Sequence, residues 1–203
     1  MSSPAKTQLS SLKTTALIVG TLAGSLLAGT AQAERFSGYA GVAGGFLASQ
    51  RQCNGAKEGA CDRVSYGHKI FGGWNVTPNV AAEINYFYFG GVNTIYDQAQ
   101  NATVATDRQS GQAYTLGINW NVEILAGLTN HIRLGLARNK TVNDLTLQGG
   151  GTQHVSDYNT APYLGLGLSL PFNSYVRMTT GYDYIIDGHL SRHLFSVGVT
   201  GEY

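Results

Sequence analysis

Charge is scarce in this chain. Lys, Arg, Asp and Glu make up 12% of its 203 residues, whereas ordinary globular chains carry about 25%. With 12 Tyr and 7 Phe alongside so few charges, intrinsic disorder is excluded, because disorder requires charge and a paucity of aromatics. A formal net charge of +1 offers no basic footprint for phosphates, so nucleic acid is excluded as a partner. Long apolar runs are lacking as well. Beyond the N-terminal segment nothing approaches ~18 uninterrupted apolar residues, so no helix of the mature chain is expected to cross a bilayer. Any membrane role has to use strands. What the chain holds in excess is glycine, 27 residues without an every-third period, which excludes a collagen-like structure.

The N-terminal segment has the layout of a signal peptide. Lys6 and Lys13 stand in a stretch without acids. Ala16–Leu27 supplies an apolar core too short to span a bilayer, and Ala31-Gln32-Ala33 follows as a small-x-small cleavage site. Domain organisation is therefore expected to be a signal peptide over 1–33 and one domain over 34–203. Removing two lysines and no acid takes the net charge from +1 to −1.

The only two cysteines, Cys53 and Cys61, fall in one short polar segment. An even pair in an exported chain favours a disulfide. No His or further Cys lies within that segment, so it is read as a structural staple and no metal site is expected.

From residue 35 onward apolar residues recur at every second position, in eight segments: 36–47, 64–76, 80–89, 114–120, 131–137, 161–170, 175–184 and 195–203. Tyr114, Leu116, Ile118 and Trp120 alternate with Thr115, Gly117 and Asn119, and Leu164, Leu166 and Leu168 alternate with Gly165, Gly167 and Ser169. This period of two is the strand signal. The connections after the second, fourth and sixth segments are short; those after the first, third, fifth and seventh are longer, with long polar loops expected over 90–110 and 138–159. Short turns at one end and long loops at the other are the pattern of an outer-membrane barrel.

The two faces decide which way such a barrel is turned. The face opposite the bulky one carries Gly, Thr, Ser and Asn and is far too uncharged for a solvated surface of ~25–35% charged residues. Turned the other way, Leu, Ile, Val, Tyr and Trp meet lipid, and the small polar residues line a narrow lumen. The fold class expected is all-β, an eight-stranded antiparallel up-and-down transmembrane β-barrel whose closure pairs every backbone amide. On the outward face Trp74, Trp120 and Tyr203 lie at the short-turn end, and Tyr66, Tyr86, Tyr88, Tyr114, Tyr182 and Tyr184 toward the long-loop end, as in two interfacial girdles. His68 falls on the outward parity without a clear reason; a neutral interfacial imidazole and a β-bulge are the two accounts.

Tyr66-Gly-His-Lys-Ile-Phe-Gly-Gly-Trp-Asn-Val76, Ala82-Glu-Ile-Asn-Tyr86, Arg133-Leu-Gly135, Ala161-Pro-Tyr-Leu-Gly-Leu-Gly-Leu168, Val176-Arg177 and the terminal Phe195-x-Val197-x-Val199-x-Gly201-x-Tyr203 resemble the transmembrane barrel of outer-membrane protein A and its opacity-like relatives. The resemblance covers essentially the whole mature chain. It implies an outer-membrane location in a Gram-negative cell, contact with outer-membrane lipid and lipopolysaccharide, and a C-terminal signal read by the barrel-assembly machinery, carried by Phe195, Val197, Val199 and Tyr203. Tyr203 stands where that family usually ends in Phe. The family's peptidoglycan-binding domain is absent from the resemblance, so cell-wall anchorage by that route is not implied. Glu83 and Arg177 match positions of a charged cluster inside that family's barrel, whereas Ser169 stands where an acid is expected. Parity also sends Lys69, Glu123, Arg133 and Asp183 inward. Three positive and three negative charges in a narrow bore imply salt-bridged plugging and a closed polar core with at most intermittent, narrow conductance, since unpaired charges there each cost several kcal/mol.

One pattern bears on catalysis. His189 and Ser191 share a face by parity with Phe195, and lipid A deacylases resemble this in using His and Ser on a barrel wall. The acid needed to orient the histidine is poorly placed, because Glu202 lies on the opposite parity and Asp187 in the adjoining loop. Polar residues at a rim are the favoured account, and no enzyme activity and no cofactor are expected. The function expected is that of a monomeric outer-membrane barrel with a structural or surface-interaction role, including host or surface ligands bound through the long loops. A small porin-like channel and a lipid A-modifying enzyme are the alternatives.

Overall fold

Alternation of bulky apolar and small or polar side chains leaves a strand with one face for lipid and one for the interior, and eight such strands close on themselves here. The computed structural model describes residues 38–49, 53–97, 103–186 and 191–203; the expected signal segment 1–33 lies outside them. The strands are β1 (Gly38–Ser49), β2 (Ala56–Cys61), β3 (Val64–Thr77), β4 (Val80–Tyr96), β5 (Val104–Leu125), β6 (Leu128–Leu147), β7 (Thr152–Pro171), β8 (Val176–Ile185) and β9 (Arg192–Glu202). Every pairing is antiparallel. The ring runs β1-β3-β4-β5-β6-β7-β8-β9 and closes where β9 meets β1. Tyr203 completes the seam, its amide donating to the Gly38 carbonyl and the Gly38 amide donating back, each at 3.0 Å. β2 stands outside the ring and pairs only with the outer part of β4.

The short turns are built from local chemistry. Thr77 Oγ1 accepts from the amides of Asn79 and Val80 at 3.4 and 3.0 Å. Gly127 takes the left-handed conformation (φ 83°) between β5 and β6. Asn173 Oδ1 accepts from the amides of Tyr175 and Val176, both at 2.8 Å.

The far end differs from the sequence expectation. The stretches 90–110 and 138–159 are for the most part strand, because β4 continues to Tyr96, β5 starts at Val104, β6 runs to Leu147 and β7 resumes at Thr152. The apolar alternation fades there because the chain leaves lipid, while the backbone ladder continues, supported by Thr and Val residues that suit a pleated strand. A 22-residue strand such as β5 extends about 70 Å at ~3.3 Å per residue, whereas about 9–11 tilted residues cross the hydrocarbon layer. A sheet in the order β2-β4-β5-β6-β7 therefore protrudes beyond the ring. Among the described residues its β7 side is open: the ladder with β8 ends at Tyr163, one further bond running from the Ile186 amide to the Pro162 carbonyl, and residues 152–160 are exposed throughout.

The disulfide joins Cys53 and Cys61, with Cα atoms 6.0 Å apart. It closes the β2 segment against β4, where Thr94 Oγ1 donates to Cys61 Sγ at 3.7 Å. His68 is outward without a bulge. The register runs unbroken through it on both sides, and its ring stacks on Tyr88 with centroids 4.9 Å apart.

Candidate functional site

Four of the six lumen charges meet in the middle of the bore. Lys69 Nζ from β3 lies 2.6 Å from Asp183 Oδ2 on β8. Arg133 from β6 reaches both acids, with Nε 3.2 Å from Glu83 Oε1 and Nη1 3.8 Å from Asp183 Oδ1. All four are 2–3% exposed. A buried ion pair needs its remaining lone pairs occupied, and neutral side chains do this here. Tyr39 donates to Glu83 Oε2, Asn85 Nδ2 to Glu83 Oε1 at 3.0 Å, Asn119 Nδ2 to Glu83 Oε2 at 3.0 Å, and Tyr163 to Asp183 Oδ1 at 2.6 Å. Lys69 Nζ also lies 5.2 Å from the Phe71 ring centroid and 5.7 Å from that of Phe87.

The other two charges do not join this group. Glu123 is exposed near the end of β5, where its Oε1 accepts from the amide of Gly127 in the following turn at 3.0 Å. It keeps the register of the inward Asn119 and Asn121, the shift coming only after it, but it stands beyond the enclosed part of the bore. Arg177 belongs to a separate layer at the short-turn end. Its Nε donates to Ser169 Oγ at 3.0 Å and its Nη2 to the Gly127 carbonyl at 3.0 Å and Thr129 Oγ1 at 2.8 Å, with Glu202 at 3.7 Å. Ser169, standing where an acid was expected, takes that hydrogen bond and also meets His131 Nε2 at 2.8 Å.

The core is not polar throughout. Leu47, Phe87, Phe89, Ala113, Ala137, Ala161, Ile185 and Leu194 pack together with Tyr163 inside the bore on the outer side of the ion pairs. Beyond them Arg192 lies over the Phe89 ring at 4.8 Å and donates to Thr141 Oγ1 at 2.7 Å. Glycine supplies room for these side chains: a Cβ on Gly73 would overlap the Tyr39 ring at 2.2 Å. Tyr39, Phe71, Phe87 and Tyr163 were visible to the same parity count as the charges, since Phe71 lies two positions from Lys69 and Phe87 four from Glu83. Attention to polarity alone passed over them.

The outer wall carries the expected aromatics. Tyr86 and Tyr114 have centroids 5.0 Å apart, and His193 stacks on Tyr184 at 4.5 Å while its Nδ1 meets the Tyr182 hydroxyl at 2.7 Å. Phe195, Val197, Val199 and Tyr203 form an exposed row on β9. His189 and Asp187 lie outside the described residues. Ser191 is buried at 5% exposure, not presented at the wall, and Tyr184 donates to its Oγ at 3.4 Å.

A closed ring of eight antiparallel strands with an apolar outer wall defines an outer-membrane β-barrel. The OmpA-like transmembrane domain family matches residues 32–190, and the chain belongs to that family. Solved structures of the same fold include Neisserial surface protein A (12% identity, TM-score 0.58, covering 84% of this chain and 99% of that one). Ail, the attachment invasion locus protein of Yersinia pestis, is similar at 14% identity and TM-score 0.53, covering 82% and 99%. The N-terminal barrel domain of Pseudomonas aeruginosa OprF is similar at 16% identity and TM-score 0.53, covering 84% and 100%. No curated protein matches the chain by sequence. The protein is thus located in the outer membrane of a Gram-negative cell, with its long strands outside and its short turns in the periplasm.

Proposed function

We propose that this protein is a monomeric surface-interaction protein of the cell envelope, in which a plugged barrel serves as the anchor and the protruding sheet as the binding part. The observation that carries this reading is the continuation of β4, β5, β6 and β7 as one hydrogen-bonded sheet beyond the ring. A membrane anchor alone has no use for strands about twice the length that a bilayer requires. The name of the Yersinia pestis neighbour, attachment invasion locus protein, points the same way.

In this reading the bore is closed. The reading is supported by the buried ion-paired layer of Lys69, Glu83, Arg133 and Asp183 and the buried apolar layer of Phe87, Leu47 and Leu194, and it assigns the protein no conducting role. The segment 1–33 is removed on export, and the β9 row ending at Tyr203 is read by the barrel-assembly machinery. The reading includes no catalytic step.

Shortening the β6–β7 hairpin by deleting residues 143–155 tests the proposal. The barrel is expected to remain heat-modifiable on a gel while binding to host cells or serum proteins is lost. Unchanged binding would locate the function elsewhere, and large steady currents in planar bilayers would refute the closed bore.

A further inference from the structure

The outward face of β5, β6 and β7 can be read row by row from lipid to the exterior. Ile118, Leu134 and Leu164 form one row, and Leu116, Leu136 and Pro162 the next. The row above holds Tyr114, Arg138 and Thr160, followed by Gln112, Lys140 and Tyr158. The change from apolar to basic is abrupt. Two cations appear in the first two rows after the lipid-facing leucines, at the height where the acyl chains of the outer leaflet end and the head groups begin.

These cations are held in place. Arg138 Cζ lies 5.9 Å and Lys140 Nζ 5.7 Å from the centroid of the same Tyr158 ring, and Arg138 Nη1 donates to Thr160 Oγ1 at 2.9 Å. Such cation–π contacts orient a cation without neutralising it. Neither row holds an acid, nor do the β4 residues beside them, Tyr86 and Tyr88. Among the described residues of this outward face the next acid is Asp144, four positions beyond Lys140, in a row with Arg108 and His154. Asp144 is engaged there, with Oδ1 2.6 Å from His154 Nδ1. The other acids of β5, β6 and β7 beyond the ring, Asp107 and Asp157, belong to the opposite, concave parity.

We propose that Arg138 and Lys140, bracketing Tyr158, form a binding site for the phosphorylated saccharide head group of outer-leaflet lipopolysaccharide. A planar guanidinium and an ammonium held against one tyrosine ring, in neighbouring rows of the sheet, offer donors for phosphate oxygens. The position argues for a lipid-borne phosphate over a free anion, because a ligand seated there has its acyl chains laid along Leu116, Leu136 and Pro162. This face fixes the barrel's orientation toward its lipid shell, a role separate from ligand binding by the sheet.

The full chain, folded in detergent and checked by heat-modifiable migration, is titrated with lipid A bearing both phosphates, with dephosphorylated lipid A, and with inorganic phosphate. Phosphorylated lipid A is expected to bind best, dephosphorylation to weaken binding roughly tenfold, and Arg138→Gln/Lys140→Gln to produce a loss of the same size. Lys57→Gln/Arg108→Gln removes as much charge from other positions and is expected to leave binding unchanged. The single Lys140→Gln variant provides the same comparison if the double variant assembles poorly. Equal binding by the double variant, equal binding of dephosphorylated lipid A, or equally tight binding of inorganic phosphate would each overturn the proposal.

Discussion

Lys69 and Asp183 stand 114 positions apart in the chain and meet across the bore at 2.6 Å. They join β3 to β8, two strands that are not neighbours in the ring. The pair therefore braces the barrel across its diameter and cannot form until the ring has closed. Arg133 and Tyr163 converge on the same carboxylate, which distributes one buried negative charge over three partners.

Removing one side of that pair leaves the other buried without its nearest counter-charge. Lys69→Met is expected to destabilise the folded barrel by about 3–5 kcal/mol. Lys69→Met/Asp183→Asn is expected to recover part of this, because the leftover charge is gone. Urea unfolding in lipid vesicles measures both; a double variant less stable than the single one would contradict the account.

Two adjacent glycines on β1 are expected to behave oppositely. A Cβ on Gly45 would come within 1.8 Å of the Phe195 carbonyl oxygen, a backbone atom of the neighbouring strand, whereas one on Gly44 would meet nothing closer than 3.8 Å. Gly45→Ala should impair closure of the β1–β9 seam and appear as unfolded protein on a heat-modifiability gel. Gly44→Ala faces lipid and should stay within about 0.5 kcal/mol of the parent in unfolding experiments.

The Cys53–Cys61 bridge acts outside the ring. On the chain-entropy estimate a loop this short contributes about 2.5 kcal/mol, and here that contribution falls on the β2 segment. Cys53→Ser/Cys61→Ser is therefore expected to leave barrel unfolding unchanged and to speed tryptic cleavage at Lys57 and Arg63. Loss of barrel stability would show that β2 supports the ring.

The barrel itself was legible in the sequence because lipid on one side and a crowded bore on the other impose a strict period of two, as in Leu164, Leu166 and Leu168. That signal reports the solvent a strand faces, so it ended where the strands left lipid, and the outer halves of β5, β6 and β7 read as loops. Inside the bore, parity located Lys69, Glu83, Arg133 and Asp183 on one face but carried no information on height. It therefore could not tell that Arg177 lies in a separate layer with Ser169 and Thr129. Glu123 differed for the same reason: it keeps the inward parity of Asn121 but lies at the end of β5, where the bore opens and the side chain is exposed.

The open side of β7 makes a prediction at the level of single amides. The Ile186 amide donates to the Pro162 carbonyl at 3.0 Å, so the backbone groups of Pro162 face the β8 side. The β6–β7 register runs without a shift from Thr152 to Ser169. The alternate residues His154, Ser156, Tyr158 and Thr160 therefore point their amides away from β6 toward the open edge, while Val155 and Asp157 point theirs into the β6 ladder. Proline removes an amide donor and is tolerated only where that donor faces solvent. Ser156→Pro should consequently keep the protruding hairpin intact, whereas Val155→Pro should open it. Hydrogen exchange across residues 141–157 distinguishes the two, with protection retained in the first variant and lost in the second. Equal loss in both would mean that the edge at β7 is covered and not open.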